Sequence, residues 1–113
     1  MDKGNALKDL VIKFRIHPGY NIYALVAKVD PFTATEIKIE LPQGYEATGD
    51  LKKPSFKYYN DSGTTMYTDE VMFTQEIRGT GKGRITLYVS YQCCDSHICF
   101  PPVTDNYFSV SID

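Results

Sequence analysis

Three cysteines lie within seven positions in the stretch YQCCDSHICFPP, residues 91–102, and the chain has no others. Thiols this close support three kinds of chemistry. They can form a structural or an exchangeable disulfide, hold a metal, or act singly as a nucleophile. An odd number leaves one cysteine outside any internal pair. A stable disulfide would also place the protein outside the reducing cytosol.

Alternation along residues 84–94 assigns two of the cysteines to faces. Ile85, Leu87, Val89, Tyr91 and Cys93 share one side of an extended chain, and Thr86, Tyr88, Ser90, Gln92 and Cys94 share the other. The first set is apolar and belongs in a core. Cys93 then serves as a small buried hydrophobe, and Cys94 faces outward. A bulge at the strand end would exchange the two. Only Asp95-Ser96-His97-Ile98 separate Cys94 from Cys99. So short a loop folds back and brings two Cα atoms to the ~5.5–6 Å of a relaxed disulfide. The expected bond is Cys94–Cys99, since adjacent Cys93 and Cys94 would close a strained ring.

A six-residue ring stabilises a fold by only about 2 kcal/mol in the loop-entropy estimate. Its position at a strand end favours an exchange-active bond; a clip that shapes the loop is the other reading. Phe100-Pro101-Pro102 stiffens the chain after Cys99, because proline fixes φ and has no N–H. That would aim the Cys99 sulfur, although the same prolines would also guard a sheet edge. Cys93, Cys94, His97 and Cys99 crowd too closely for a tetrahedral site built from two separated ligand pairs. Cys94 and His97 lack the helix N-terminus and orienting group that a hydrolytic cysteine needs. Neither a metal nor a cofactor is expected.

The elements that must hold this segment are strands. Leu10, Ile12, Phe14 and Ile16 alternate with Val11, Lys13 and Arg15, and His17-Pro18-Gly19 turns the chain. Residues 20–28 read as a second strand, ended by Asp30-Pro31. Residues 36–41 form a third, with Pro42-Gln43-Gly44 behind it, and residues 45–51 a weak fourth. Residues 52–65 have no period and contain the turn signal Asn60-Asp61-Ser62-Gly63. Residues 66–78 resume as a strand, with Val71, Phe73, Gln75 and Ile77 on one side. Residues 79–83 read as a hairpin loop. Residues 106–112 close the chain, with Phe108, Val110 and Ile112 facing one way. Seven to nine short antiparallel strands without a helical stripe predict an immunoglobulin-like β-sandwich, with a small barrel as the alternative.

The chain has 113 residues, enough for one domain. A net charge of −2 supplies no basic surface for nucleic acid. No apolar run reaches the ~18 residues of a membrane span. Met1-Asp2-Lys3-Gly4-Asn5 is polar and lacks the apolar run of a secretory signal. The chain is therefore either a cytosolic protein or one domain, residues 1–113, of a longer exported protein.

Tyr91-Gln92, Cys94-Asp95 and Cys99-Phe100-Pro101-Pro102-Val103-Thr104 resemble the cysteine element of the periplasmic N-terminal domain of the thiol:disulfide interchange protein DsbD family. Gly19-Tyr20-Asn21-Ile22-Tyr23 is similar to that family's glycine-aromatic strand. Ile39-Glu40-Leu41-Pro42-Gln43-Gly44 resembles its Leu-Pro-x-Gly strand end, and the stretch from Met66-Tyr67 to Phe73 the strand after its cap. The resemblance runs over nearly the whole chain.

It implies an immunoglobulin-like fold and an electron relay through Cys94 and Cys99 in the periplasm. Cys93 would be a bystander. Thioredoxin-like proteins or domains would be donor and acceptor, and cytochrome c maturation factors and disulfide isomerases would be downstream clients. The domain itself would be monomeric, reaching the membrane only through the rest of a longer protein. Cys99 would form the mixed disulfide. A cap loop would cover the bond, and residues 56–65 match its place, with Tyr58 and Tyr59 as shields or as plain cover for the sandwich edge. Asp95, His97, Phe100 and Pro101 would modulate the pair: Asp95 by opposing a thiolate, His97 by stabilising one if protonated, with a solvent-exposed loop histidine that has no such role as the other reading. The rival reading is an immunoglobulin-like protein-binding module whose disulfide is only a local structural clip.

Overall fold

The computed structural model describes residues 6–112, and their regular structure is entirely β. One sheet has the order β1 (Ala6–Arg15), β7 (Glu70–Gly79), β4 (Tyr45–Ala47). A second has the order β10 (Val103–Ile112), β8 (Gly83–Tyr91), β3 (Glu36–Glu40). A third and smaller sheet runs β5 (Lys57–Tyr58), β6 (Thr65–Tyr67), β2 (Asn21–Tyr23), β9 (Cys93–Cys94). Neighbouring strands pair antiparallel in all three. No strand is shared between the first two sheets, which makes the body a sandwich and not a barrel.

Period-two patterning builds the core. Val71, Phe73, Gln75 and Ile77 of β7 are buried, and so are Ile85, Leu87 and Val89 of β8. Ile77, Ile85, Leu87 and Val89 form one cluster, joined by Leu10, Ile12 and Phe14 of β1 and Ile37 and Ile39 of β3. Burying each such aliphatic side chain contributes about 1.5–3 kcal/mol. A second cluster joins Val71 and Phe73 to Ile22, Ala24 and Tyr67, with Cys93 packed against it. It anchors the third sheet, which carries the cysteines, to the sandwich.

Several boundaries differ from the sequence reading. The second strand covers only residues 21–23, not 20–28. Beyond it the backbone leaves the sheet: Ala24 N–H donates to Thr65 O, Leu25 N–H to Thr65 Oγ1 and Ala27 N–H to Thr64 Oγ1. The expected strand at 66–78 breaks between β6 and β7, where Asp69 adopts a left-handed φ of 65°. The hairpin loop shortens because β7 runs through Gly79 and β8 starts at Gly83. Only glycine fits at 79, where a Cβ would lie 2.1 Å from the Gly44 carbonyl oxygen. β10 begins at Val103, ahead of the expected 106, and shifts register between Val103 and Asn106. Its Phe108 and Val110 pair with core positions of β8 yet remain nearly half exposed.

Candidate functional site

Cys94 and Cys99 are disulfide-bonded and lie opposite each other as an isolated antiparallel bridge, with Cα atoms 4.0 Å apart. This is closer than the ~5.5–6 Å anticipated from a looped ring. The turn between them is shaped by one carboxylate. Asp95 Oδ1 accepts from the His97 and Ile98 backbone N–H groups, each at 2.7 Å, and Asp95 N–H donates to Ile98 O at 2.9 Å. Such a carboxylate-to-backbone turn is favoured by Asp. The Ile98 and His97 bonds hold the Asp95 carboxyl below the usual range. Phe100 N–H donates to Cys93 O at 2.9 Å and closes the base of the ring.

The two cysteines of the bond differ in exposure. Cys94 is 1% exposed, whereas Cys99 is exposed. The expectation that Cys94 faces outward is corrected here. Alternation does separate it from Cys93, which packs against the core beside Ile22, its register partner. However, β8 ends at Tyr91, and Gln92 carries the chain from the sandwich into the third sheet. There the second face is roofed, so Gln92 and Cys94 are buried. Cys93 remains a free thiol, its pKa pushed up by burial first and by the Asp95 charge second.

The roof is aromatic. Tyr23 is fully buried, and its ring stacks on Phe32 at 4.4 Å and meets the edge of Tyr59 at 5.2 Å. Phe32 and Tyr59 also touch edge to face at 5.6 Å. The Tyr23 hydroxyl donates to Cys94 Sγ at 3.3 Å and lies 3.7 Å from Cys99 Sγ. Tyr58 is directed elsewhere: it is 74% exposed and packs on Phe56. Phe100 stacks on Tyr20 at 6.1 Å, while His97 and Pro101 are exposed.

Two chain segments carry this roof, and one carboxylate ties them. Asp30 Oδ2 accepts from Asn60 Nδ2 at 2.9 Å and from the Thr64 hydroxyl. Asn60 Oδ1 in turn accepts from Ser62 N–H and Thr64 N–H. Asp30 stands two residues before Phe32, and Asn60 stands next to Tyr59. Gln92 adds a second tie: its Oε1 accepts from Thr33 N–H at 2.9 Å, and its Nε2 donates to Phe100 O at 3.1 Å. One buried amide therefore links the roof to the cysteine ring.

Burial raises the Tyr23 pKa strongly, and the neighbouring Tyr59 phenol raises it further. Its hydroxyl stays protonated and remains a donor toward sulfur. A charge-assisted hydrogen bond of this kind stabilises an anion more than it stabilises a neutral sulfur. The arrangement suits a bond whose buried sulfur leaves as a thiolate while the exposed one is attacked.

Sequence reading missed Tyr23 as a site residue, as it missed Asn21, Asp30, Phe32, Thr64 and Gln92. Tyr23 and Asn21 stood in the motif Gly-Tyr-Asn-Ile-Tyr, and their shared parity places them on one strand face. Asp30 and Thr64 carried no local signal, because their contact spans 34 positions.

Comparison with known proteins agrees with this geometry. The chain is 30% identical over 103 residues to the thiol:disulfide interchange protein DsbD of Pectobacterium atrosepticum, covering 90% of the chain but 16% of that protein. The crystal structure of the reduced DsbD N-terminal domain from Neisseria meningitidis matches with a TM-score of 0.55 at 22% identity, covering 91% of this chain and 76% of that one. The structural likeness identifies the fold as immunoglobulin-like. The family model for the thiol:disulfide interchange protein DsbD, N-terminal, matches residues 4–110. The chain belongs to the family of DsbD N-terminal domains, which is a thiol–disulfide exchange family.

Proposed function

We propose that Cys94 and Cys99 are the catalytic pair of an electron relay between thioredoxin-like proteins, working in the periplasm. The observation that carries this reading is the asymmetry of one disulfide. Cys94 is buried under the Tyr23 hydroxyl, and Cys99 is exposed between the exposed apolar side chains of Ile98 and Phe100. An incoming thiolate attacks Cys99 Sγ and forms a mixed disulfide. The Cys94–Cys99 bond breaks, and its electron pair stays on Cys94 Sγ, which takes up a proton. The partner's second thiolate then attacks its own sulfur in the mixed disulfide and releases Cys99. Two electrons and two protons have moved, the partner is oxidised and the domain is a dithiol. The same steps in reverse reduce the next protein, with Cys94 as resolving thiol. Rates follow thiolate fraction, leaving-group acidity and access.

Tyr59, with Phe32 and Tyr23, would shield the sulfurs between encounters. Asp95 shapes the ring, and Phe100 and Pro101 stiffen its exit. Because the chain spans 16% of the length of its curated relative, we place it as the N-terminal domain of a longer exported membrane protein.

The test combines a redox titration with trapping. Cys94→Ser should accumulate a mixed disulfide between Cys99 and an oxidised thioredoxin-like acceptor, because no Cys94 thiol is present to resolve it, while Cys99→Ser should trap none and Cys93→Ser should transfer electrons normally. The bond should equilibrate well above the roughly −300 mV below which structural disulfides sit. A bond that resists reduction in the folded protein would reduce the site to a local clip, and loss of transfer in Cys93→Ser alone would overturn the pairing.

A further inference from the structure

Asn21 stands directly across from Cys94 in the β2–β9 pairing. Directly opposed residues of an antiparallel pair share a face, with Cβ atoms about 4.5–5.5 Å apart. Both side chains therefore lie on the roofed face of the third sheet, with Tyr23 two residues further on. Asn21 is only 9% exposed, and its Nδ2 has no hydrogen-bond partner. The amide lies close enough to the Tyr23 hydroxyl to favour that group's ionised form, as a donor would, although no hydrogen bond of normal geometry joins them. That hydroxyl is the one 3.3 Å from Cys94 Sγ. Leaving a buried N–H unpaired is costly, and native proteins do it rarely without a functional reason.

We infer that Asn21 Nδ2 is held in reserve for the Cys94 thiolate. A disulfide sulfur is a weak acceptor and is already served by Tyr23. When the bond opens at Cys99, its electron pair passes to Cys94, and a full negative charge develops at a site screened from water. A second donor then gains an anionic partner that it lacks in the oxidised protein. Donors prearranged where charge develops lower the barrier because they need no reorganisation. The adjacent Asp95 carboxylate is occupied by the His97 and Ile98 N–H groups. Lys57 and Asp69 line the open cleft of about 640 Å³ that Asn21 shares with Tyr59 and Asp95. This inference rests on the proposed role of the pair, with Cys94 as leaving group.

The experiment isolates the Cys94 thiol in a Cys93→Ser/Cys99→Ser protein and follows its ionisation by the ultraviolet absorbance of the thiolate. Adding Asn21→Ala should raise the Cys94 pKa by about one unit, a tenfold loss of thiolate at a given pH. Asn21→Asp, nearly isosteric, should raise it further by placing an acceptor where the donor stood. Asn21→Gln keeps the amide, has the cleft to reach into, and should restore most of the acidity. In the otherwise native protein, Asn21→Ala should slow reduction by dithiothreitol about three- to tenfold, because a less acidic thiol leaves more slowly. Circular dichroism checks the fold of each variant, and Asn21→Asp carries the test if the alanine variant unfolds. An unchanged Cys94 pKa in Asn21→Ala, or a lower one in Asn21→Asp, would overturn the assignment. Failure to exchange with a thioredoxin-like partner while the pKa still responds would sink the relay and leave the donor standing.

Discussion

A single phenol reaches both sulfurs of this disulfide but lies nearer one, 3.3 Å from Cys94 Sγ and 3.7 Å from Cys99 Sγ. The Tyr23 hydroxyl serves Cys94, and its ring is clamped between Phe32 and Tyr59, so it cannot swing away without breaking aromatic contacts worth about 0.5–1.5 kcal/mol each. Tyr23→Phe keeps the ring and removes the donor. Its folded stability should change little, since a hydrogen bond to a neutral sulfur is weak. The rate of reduction by a small thiol should fall roughly tenfold, because a hydrogen bond to a charged group is worth about 1.5 kcal/mol or more. Stopped-flow reduction beside a melting curve measures both. A variant that melts far lower but exchanges at the native rate would show the hydroxyl to be structural. Parity along the strand was enough to put Tyr23 on the face opposite Ile22. It could not show that Cys94 lies on that same face, because the pairing of β2 with β9 joins residues 71 positions apart.

At the scale of elements, the roof is two segments held as one by Asp30. Its carboxyl is kept below the ordinary range by the hydrogen bonds from Asn60 first and Thr64 second. A lowered folded-state pKa means that this carboxylate stabilises the roof at pH values above its unfolded pKa. That stability fades as pH falls below about 4 and through the folded value. Asp30→Asn should loosen the roof at neutral pH and admit a small phosphine reductant several times faster, while Tyr58→Ala, outside the roof, should leave the rate unchanged. As pH falls below about 4 and through the lowered folded value, the native and Asp30→Asn rates should converge as the native carboxyl protonates. Parallel rates across that range would sink the latch. Residues 52–65 have no period, which located a loop, although the short β5 lies within the stretch and β6 starts at its last residue. Local pattern gave no sign that residues 24–34 form its other half, since Leu25 and Val29 look like strand residues but are exposed on the roof segment.

For the molecule as a whole, the core and the disulfide ring carry separate duties. Phe73 is 2% exposed and belongs to the cluster that ties the third sheet to the sandwich. Phe73→Ala should cost about 3–5 kcal/mol. Reducing the Cys94–Cys99 bond removes only the closure of a six-residue ring, about 2 kcal/mol. At about 4–8 °C per kcal/mol for a domain near this size, the reduced protein should melt roughly 8–16 °C lower and still unfold cooperatively. Circular-dichroism melting with and without reductant reads this directly, and a reduced protein without a transition would contradict it. A domain that cycles between oxidised and reduced forms must stay folded in both, which a core independent of the bond allows.

The sequence by itself determined the β class, the alternating core of β7 and β8, and the pairing of Cys94 with Cys99. Each of these depends on side-chain parity or on a loop of a few residues, and both are local. It also determined that Cys93 and Cys94 face opposite ways. Only the tertiary structure decided that both faces of that strand are covered and that the roof is made by Tyr23, Phe32 and Tyr59. The same is true of Cys99 being the sulfur left open. Parity says which side a residue takes; what lies over that side depends on contacts between distant segments, 34 positions apart for Asp30 with Thr64 and 71 for Tyr23 with Cys94, which no local pattern encodes.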